Sequence, residues 1–286
     1  MSNYKIITDS CCDLPKALCQ ELEVDIAPLG VDYDGKFFED GQMPIKEFYD
    51  GIRAGKTSTT SAVNPKRWTQ VMEPILAGGQ DVLALCFSSG LSTTYQSAVI
   101  AAEELGEKYP DRKIQVVDTL AASAGQGLLV WYAAKQRQAG KPMEEVRQWV
   151  LEHMIHVAHW VTVDDLKYLK RGGRISATTA VVGTMLNIKP IIHLDNDGKL
   201  LSVAKARGRK AALNYVAEKL GQTGLPGANE VIAISHADCE EDARYIADIV
   251  KAKYGVKEVI LCDIGSVIGS HTGPGGLACC FLAKER

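Results

Sequence analysis

The stretch Asp81-Val82-Leu83-Ala84-Leu85-Cys86-Phe87-Ser88-Ser89-Gly90 carries a continuous apolar run into an abrupt polar stop. A run this short and this uniformly apolar reads as a strand buried on both faces. Beyond it, Leu91-Ser92-Thr93-Thr94-Tyr95 opens a helix expected over about Thr94 to Leu105. The same grammar recurs on either side. Tyr4 to Thr8 is a short apolar run that ends in Asp9-Ser10, and Ile114 to Val117 ends in Asp118-Thr119 before a long helix. Asp13 is a plausible N-cap for a helix from Leu14, with Pro15 in its first turn. Val24 to Leu29 reads as another strand, and Val31 to Phe38 as a hairpin turning at Asp34-Gly35. Apolar strands alternating with helices imply a mostly parallel sheet covered on both faces. Right-handed crossovers then gather the polar strand ends along one edge, where ligands of such sheets bind.

The second half changes character. A helix over about Met143 to Met154 is followed by a strand at Trp160 to Val163, and Asp164-Asp165 caps a short basic helix. Ile188 to Leu194 and Leu200 to Ala204 pair across Asn196-Asp197-Gly198, a hairpin signal. A helix over Lys210 to Leu220, the run Val231 to Ser235, a helix reaching Tyr254 and the run Glu258 to Cys262 complete an α+β or α/β unit. With 286 residues the length favours about two domains. The expected division is an N-terminal α/β domain over residues 1–150, with an open sheet and flanking helices, and a C-terminal α/β domain over 151–286.

Composition narrows the function. Lys and Arg total 32 against 35 Asp and Glu, a net charge of −3, which gives no reason to expect nucleic acid as the main partner. No apolar run approaches a membrane span, and the N-terminus lacks a signal-peptide core, so a cytoplasmic protein is expected. The eight cysteines include the adjacent pairs Cys11-Cys12 and Cys279-Cys280 but no Cys-x-x-Cys, so they read as reduced thiols rather than disulfides or zinc ligands.

Four segments carry candidate chemistry. Lys56-Thr57-Ser58-Thr59-Thr60-Ser61-Ala62-Val63-Asn64-Pro65 is either a loop capping the helix at Pro65 or a set of hydroxyl donors for a polar or anionic group. Ser88 to Tyr95 is either an ordinary N-cap or a helix-start anion site. It lacks a phosphate-loop lysine, so a small carboxylate fits better than a nucleotide. Gly269-Ser270-His271-Thr272-Gly273-Pro274-Gly275-Gly276 is either a turn or a permissive backbone that brings His271 close to a ligand. His153-x-x-His156-x-x-His159 has the look of a metal cluster, but the turn into a strand after it breaks the shared face, and a solvated helix end is the expectation.

Charge is unevenly spread. Residues 164–210 hold ten basic and four acidic residues, a surplus of six that leaves the rest of the chain at −9. That stretch is either a solvated face or a surface for a partner or a phosphate-bearing ligand.

Taken in order, these segments resemble the DegV family. The matching residues are Ile7-Thr8-Asp9-Ser10 with Asp13-Leu14-Pro15, then Thr60-Ser61, Ser88-Ser89-Gly90-Leu91-Ser92 and Asp118. They continue with Leu166-Lys167-Tyr168-Leu169-Lys170-Arg171-Gly172-Gly173-Arg174-Ile175-Ser176, Asn187-Ile188-Lys189-Pro190-Ile191 and His271-Thr272-Gly273-Pro274-Gly275. The resemblance implies a two-domain α/β protein that binds one long-chain fatty acid between its domains, without a further cofactor or metal. It implies a lipid-binding subunit of a fatty acid kinase, which presents the acyl carboxylate to a separate ATP-dependent kinase and is not itself an enzyme. Thr60 and Ser92 would bond the carboxylate, Ser61 and Thr93 would adjoin it, and His271 would lie near the head group. Arg171, Arg174 and Arg207 would belong to the kinase-facing surface, and a transient membrane contact stays open. Ala62-Val63, Thr93 and Thr119 depart from the family's usual Gln-Pro, Gly and Ser, and the first two departures bear on the ligand rather than the fold.

A lipid is physically reasonable. Burying about fifteen methylenes contributes roughly 12 kcal/mol, at about 0.8 kcal/mol each. Neutral hydroxyls and a helix start then suffice to orient the carboxylate. Two rival readings remain. One is a hydrolase or phosphotransferase acting on a small carboxylate or ester, through Ser92, His271 and Asp118 or through Asp9. The other is a signalling or transcription adaptor working through the basic face.

Overall fold

The computed structural model of the protein describes residues 4–175 and 187–286. Ser176, the last residue of the Leu166 motif, lies outside them. β1 (Tyr4–Asp9) passes through a 3-10 turn into α1 (Lys16–Glu21) and β2 (Val24–Ala27). An excursion of β3 (Gly30–Tyr33), β4 (Lys36–Glu39), α2 (Ile45–Arg53) and β5 (Ser58–Ser61) precedes α3 (Pro65–Ala77). Then come β6 (Asp81–Cys86), α4 (Thr94–Lys108), β7 (Ile114–Asp118), α5 (Ser123–Gln138) and α6 (Met143–His153). β8 (Val157–Thr162), α7 (Lys167–Arg171), β9 (Ile188–Leu194), β10 (Leu200–Arg207) and α8 (Arg209–Thr223) follow. β11 (Val231–His236), α9 (Glu240–Tyr254), β12 (Glu258–Asp263), α10 (Ser266–Thr272) and β13 (Leu277–Leu282) end the series.

The architecture is α/β. The first sheet runs β2-β1-β6-β7, all parallel, so Asp9, the Ser88 loop and Asp118 share one edge as the sequence reading requires. The second sheet runs β10-β9-β8-β13-β11-β12 and is antiparallel except between β11 and β12. A third sheet, β4-β3-β5, stands beside the first. Its hairpin turns at Asp34 and Gly35, whose φ of 53° and 77° suit a tight two-residue turn.

α5 joins the two large sheets. Leu128, Leu129, Val130, Ala133 and Ala134 are buried around its circumference, as expected of a helix that meets apolar surface on more than one side. One hydrophobic cluster runs from Ile6, Leu83 and Leu85 through Leu128 to Ala233, Ala278 and Cys280. The sheets are therefore packed through a shared core.

Three local expectations change. Asp13 does not cap α1. It takes a left-handed φ of 51°, Pro15 occupies the cap position, and the Asp13 carboxylate instead accepts Ser123 Oγ at 2.5 Å and Gly265 N at 2.9 Å. The hydroxyl-rich segment Ser58 to Ser61 is a strand, because β3 supplies backbone partners that local propensity does not reveal. His271 lies in α10 rather than in a turn. That helix is poor in helix formers, yet the carboxylates of Asp13 and Asp40 accept its first backbone N–H groups, from Gly265 and Ser266.

Candidate functional site

The polar edge of the parallel sheet opens onto a cavity of about 440 Å³. Residues between Leu29 and Ser123 and residues between His159 and Ala278 both contribute to its lining. Its walls are largely aliphatic, with Leu29, Leu91, Leu194, Leu200, Val267 and Ile268 among them. Hydroxyls, two imidazoles and Arg174 interrupt the apolar wall, the mix of a site that orients a largely apolar ligand through a few polar groups.

Thr60, Ser61, Ser92, Thr93 and His271 all line this cavity. Thr60 is brought there by β5 and His271 by α10, and Thr60 Oγ1 lies 2.8 Å from His271 Nε2. Side chains alternate along a strand, so Thr60 and Ser61 leave β5 on opposite faces. Ser61 Oγ accordingly packs against Gly30, where an added Cβ would lie 2.4 Å from it.

Ser92 terminates the loop after β6. Thr94 N–H donates to its Oγ at 3.2 Å, and the Ser92 and Thr94 hydroxyls share a bond of 2.9 Å. The capping reading and the binding reading of this loop are thus compatible, since a hydroxyl has two acceptor lone pairs and a proton. Trp68 Nε1–H donates to the Thr94 carbonyl at 3.1 Å and fixes the helix start from behind.

Burial pushes the His271 imidazole down to about 4, with Arg174 and Arg171 adding to the effect, so the ring is neutral near pH 7. Its Nδ1 is buried without a hydrogen-bond partner and faces Gly172, where a Cβ would sit 2.1 Å away. A bare ring nitrogen tolerates that position better than an N–H, so the proton belongs on Nε2. Nε2–H then donates to Thr60 Oγ1, and the Thr60 hydroxyl proton is free to point at a ligand oxygen.

The cations divide into two groups. Arg174 lines the cavity, donating from Nε to the Leu91 carbonyl at 3.2 Å and from a terminal nitrogen to Gly172 O at 2.5 Å. Composition gave no sign of this buried-side cation. Arg171 and Arg207 are exposed, and Arg171 stacks over the Tyr168 ring at 5.4 Å.

The residues of the rival readings are placed differently. Asp118 Oδ1 accepts Ser89 N and Leu120 N, both at 3.1 Å, while His271 Nδ1 lacks the carboxylate partner that a hydrolytic triad requires. Asp9 is fully buried and accepts Phe87 N at 2.7 Å and Cys11 N at 3.1 Å. Burial pushes its carboxyl up to about 7. His153 and His156 turn to the carbonyls of Trp149 and Ala283, and among the described residues no group of three side chains is arranged to hold a metal.

The sequence model of the uncharacterised DegV proteins matches residues 3–284. The chain belongs to the DegV family. A DegV domain-containing protein of Clostridium perfringens is 43% identical over 289 residues, covering 100% of this chain and 99% of that one. A DegV lipid-binding protein from Thermotoga maritima superposes with a TM-score of 0.87 at 31% identity, with 100% of both chains covered. A fatty-acid-binding DegV protein from Thermus thermophilus gives 0.88 at 31% identity, over 98% of this chain and 99% of that one. This DegV chain thus shares its fold, end to end, with proteins that bind lipid. Among the described residues no helix is long and apolar enough to cross a membrane.

Proposed function

We propose that this DegV protein binds one long-chain fatty acid in the cavity, between a unit over residues 1–150 and a unit over 151–286. Thr60, Ser92 and His271 receive the carboxylate, with Ser61 and Thr93 beside it. The observation that carries the reading is the cavity itself, about 440 Å³ of largely apolar wall in which the Thr60 hydroxyl and the neutral His271 imidazole meet at 2.8 Å. Ligand carboxylate would accept from the Thr60 and Ser92 hydroxyls, and the cavity-lining Arg174 contributes positive charge. The lipid-binding DegV relatives support this choice over a small polar ligand.

The carboxylate is then presented to a separate ATP-dependent fatty acid kinase, which returns acyl-phosphate. The exposed guanidinium groups of Arg171 and Arg207 face that partner, and Arg174 links its surface to the head group. In this reading the protein holds and orients the substrate, and the phosphoryl transfer belongs to the kinase.

The test combines the protein loaded with palmitic acid, a bacterial fatty acid kinase and ATP, with hydroxylamine to trap acyl-phosphate as a hydroxamate. The expected result is hydroxamate that requires both proteins. Lipid-loaded protein that yields none with any kinase that phosphorylates other DegV-bound fatty acids would overturn the presenting role.

A further inference from the structure

Of the three histidines in the His153-x-x-His156-x-x-His159 spacing, His159 lines the cavity. It is 2% exposed. Ala122 N–H donates to its Nε2 at 3.2 Å, which requires that nitrogen to be bare. Nδ1 therefore carries the proton and donates to the Val157 carbonyl at 2.9 Å. Burial drives its ionisation well below the ordinary imidazole range, so the ring stays neutral. With both nitrogens engaged by backbone, the ring offers a ligand only its carbon edge.

The ring is also immobile. An added Cβ on Gly125 would lie 2.0 Å from Nε2, so the imidazole rests directly on the first turn of α5. Strand alternation sets its direction. His159 and Val161 face the cavity side of the sheet, directly opposite Cys280 and Ala278 on β13. Trp160 points the other way, stacked near His193 and under the Lys219 ammonium.

The two cavity histidines sit in separate electrostatic surroundings. The cation that acts on His159 is Arg286, whereas those acting on His271 are Arg174 and Arg171. His271 meets Thr60 on β5, whereas His159 rests against Ala122 and Gly125 at the start of α5. We infer that His159 is the end stop of the cavity and, with Ala278 opposite Val161 on the same wall, sets the length of acyl chain the protein retains. This rests on the fatty-acid reading above. Each methylene that the end of the cavity admits raises retention about fourfold, and each one refused costs as much.

The experiment is extraction and mass spectrometry of the fatty acids that co-purify with wild type, His159→Ala and Ala278→Leu. His159→Ala is expected to shift the profile to longer chains, and Ala278→Leu to shorter ones. A wild-type measurement needs no variant. Palmitic acid carrying 13C at its terminal methyl should show nuclear Overhauser contacts to the His159 ring protons and none to His271. Should His159→Ala fail to fold, Ala278→Leu and the labelled methyl decide the matter. Unmoved chain lengths, or a terminal methyl that contacts other residues instead, would overturn the end stop while leaving fatty-acid binding intact. Wild-type protein that neither carries a fatty acid nor takes up palmitate would overturn the binding reading itself.

Discussion

Thr60 and His271 are 211 residues apart in the chain, yet Thr60 Oγ1 lies 2.8 Å from His271 Nε2. β5 and α10 bring them together, and neither element is a strong former on its own. With the imidazole neutral and protonated on Nε2, the ring donates to the threonine hydroxyl and leaves that hydroxyl's proton for a ligand oxygen.

Removing that proton should weaken lipid retention without unfolding the protein. Thr60→Ala and Ser92→Ala are each expected to lose about 1.5–3 kcal/mol of binding, as for a hydrogen bond to a charged acceptor. Thr60→Ser should retain most of it. Competition for delipidated protein with a fluorescent fatty acid reads the change, and unchanged affinity in both alanine variants would remove them from the head-group site.

Stability should depend on pH through His271. The free imidazole titrates near 6.5, while in the fold burial lowers it to about 4. Between those values the unfolded chain binds more protons, so stability rises with pH and is lost as pH falls from 6.5 toward 4. The single group accounts for up to about 3 kcal/mol across that window. Urea midpoints at pH 7 and pH 4.5 should fall further for wild type than for His271→Asn. Equal losses would show that the ring is not held neutral.

Gly172→Ala should act through the same ring. The new Cβ would lie 2.1 Å from His271 Nδ1 and displace the imidazole from Thr60. About 1–3 kcal/mol of destabilisation is expected from the overpacking, together with weaker fatty-acid binding. A variant with wild-type affinity would mean that the ring moves without consequence.

The arginines should separate by location. Arg171→Ala and Arg207→Ala are expected to leave fatty-acid affinity unchanged and to slow acyl-phosphate formation with the kinase. Arg174→Ala, which removes a cavity-lining cation, should lower affinity as well. Titration with palmitic acid, paired with the hydroxamate assay, distinguishes the two classes.

Much of this was legible in the sequence because burial on both faces leaves a plain mark. Val82 to Cys86 must be apolar throughout to lie between two helical layers, and its polar stop at Ser88 had to fall at the ligand-binding edge. α10 and β5 were hidden for the opposite reason. Ser266 to Thr272 is helical because Asp13 and Asp40 wait at its start, from positions more than 220 residues earlier in the chain. Ser58 to Ser61 is extended because β3 pairs with it. Arg174 could not be assigned to the cavity from its motif, since its bonds to Leu91 O and Gly172 O exist only after the chain has folded back. His159 was expected at a solvated helix end, but it lies in β8, paired with Cys280 of β13 and 2% exposed, because the chain enters the sheet before it.

The most direct test of the central claim is the mass of the purified recombinant protein under native and denaturing conditions, with identification of whatever organic solvent extracts. The account predicts a native mass higher by one fatty acid per chain and a single fatty-acid class in the extract. Protein that is empty as isolated, and that fails to take up long-chain fatty acids when they are supplied, would contradict it.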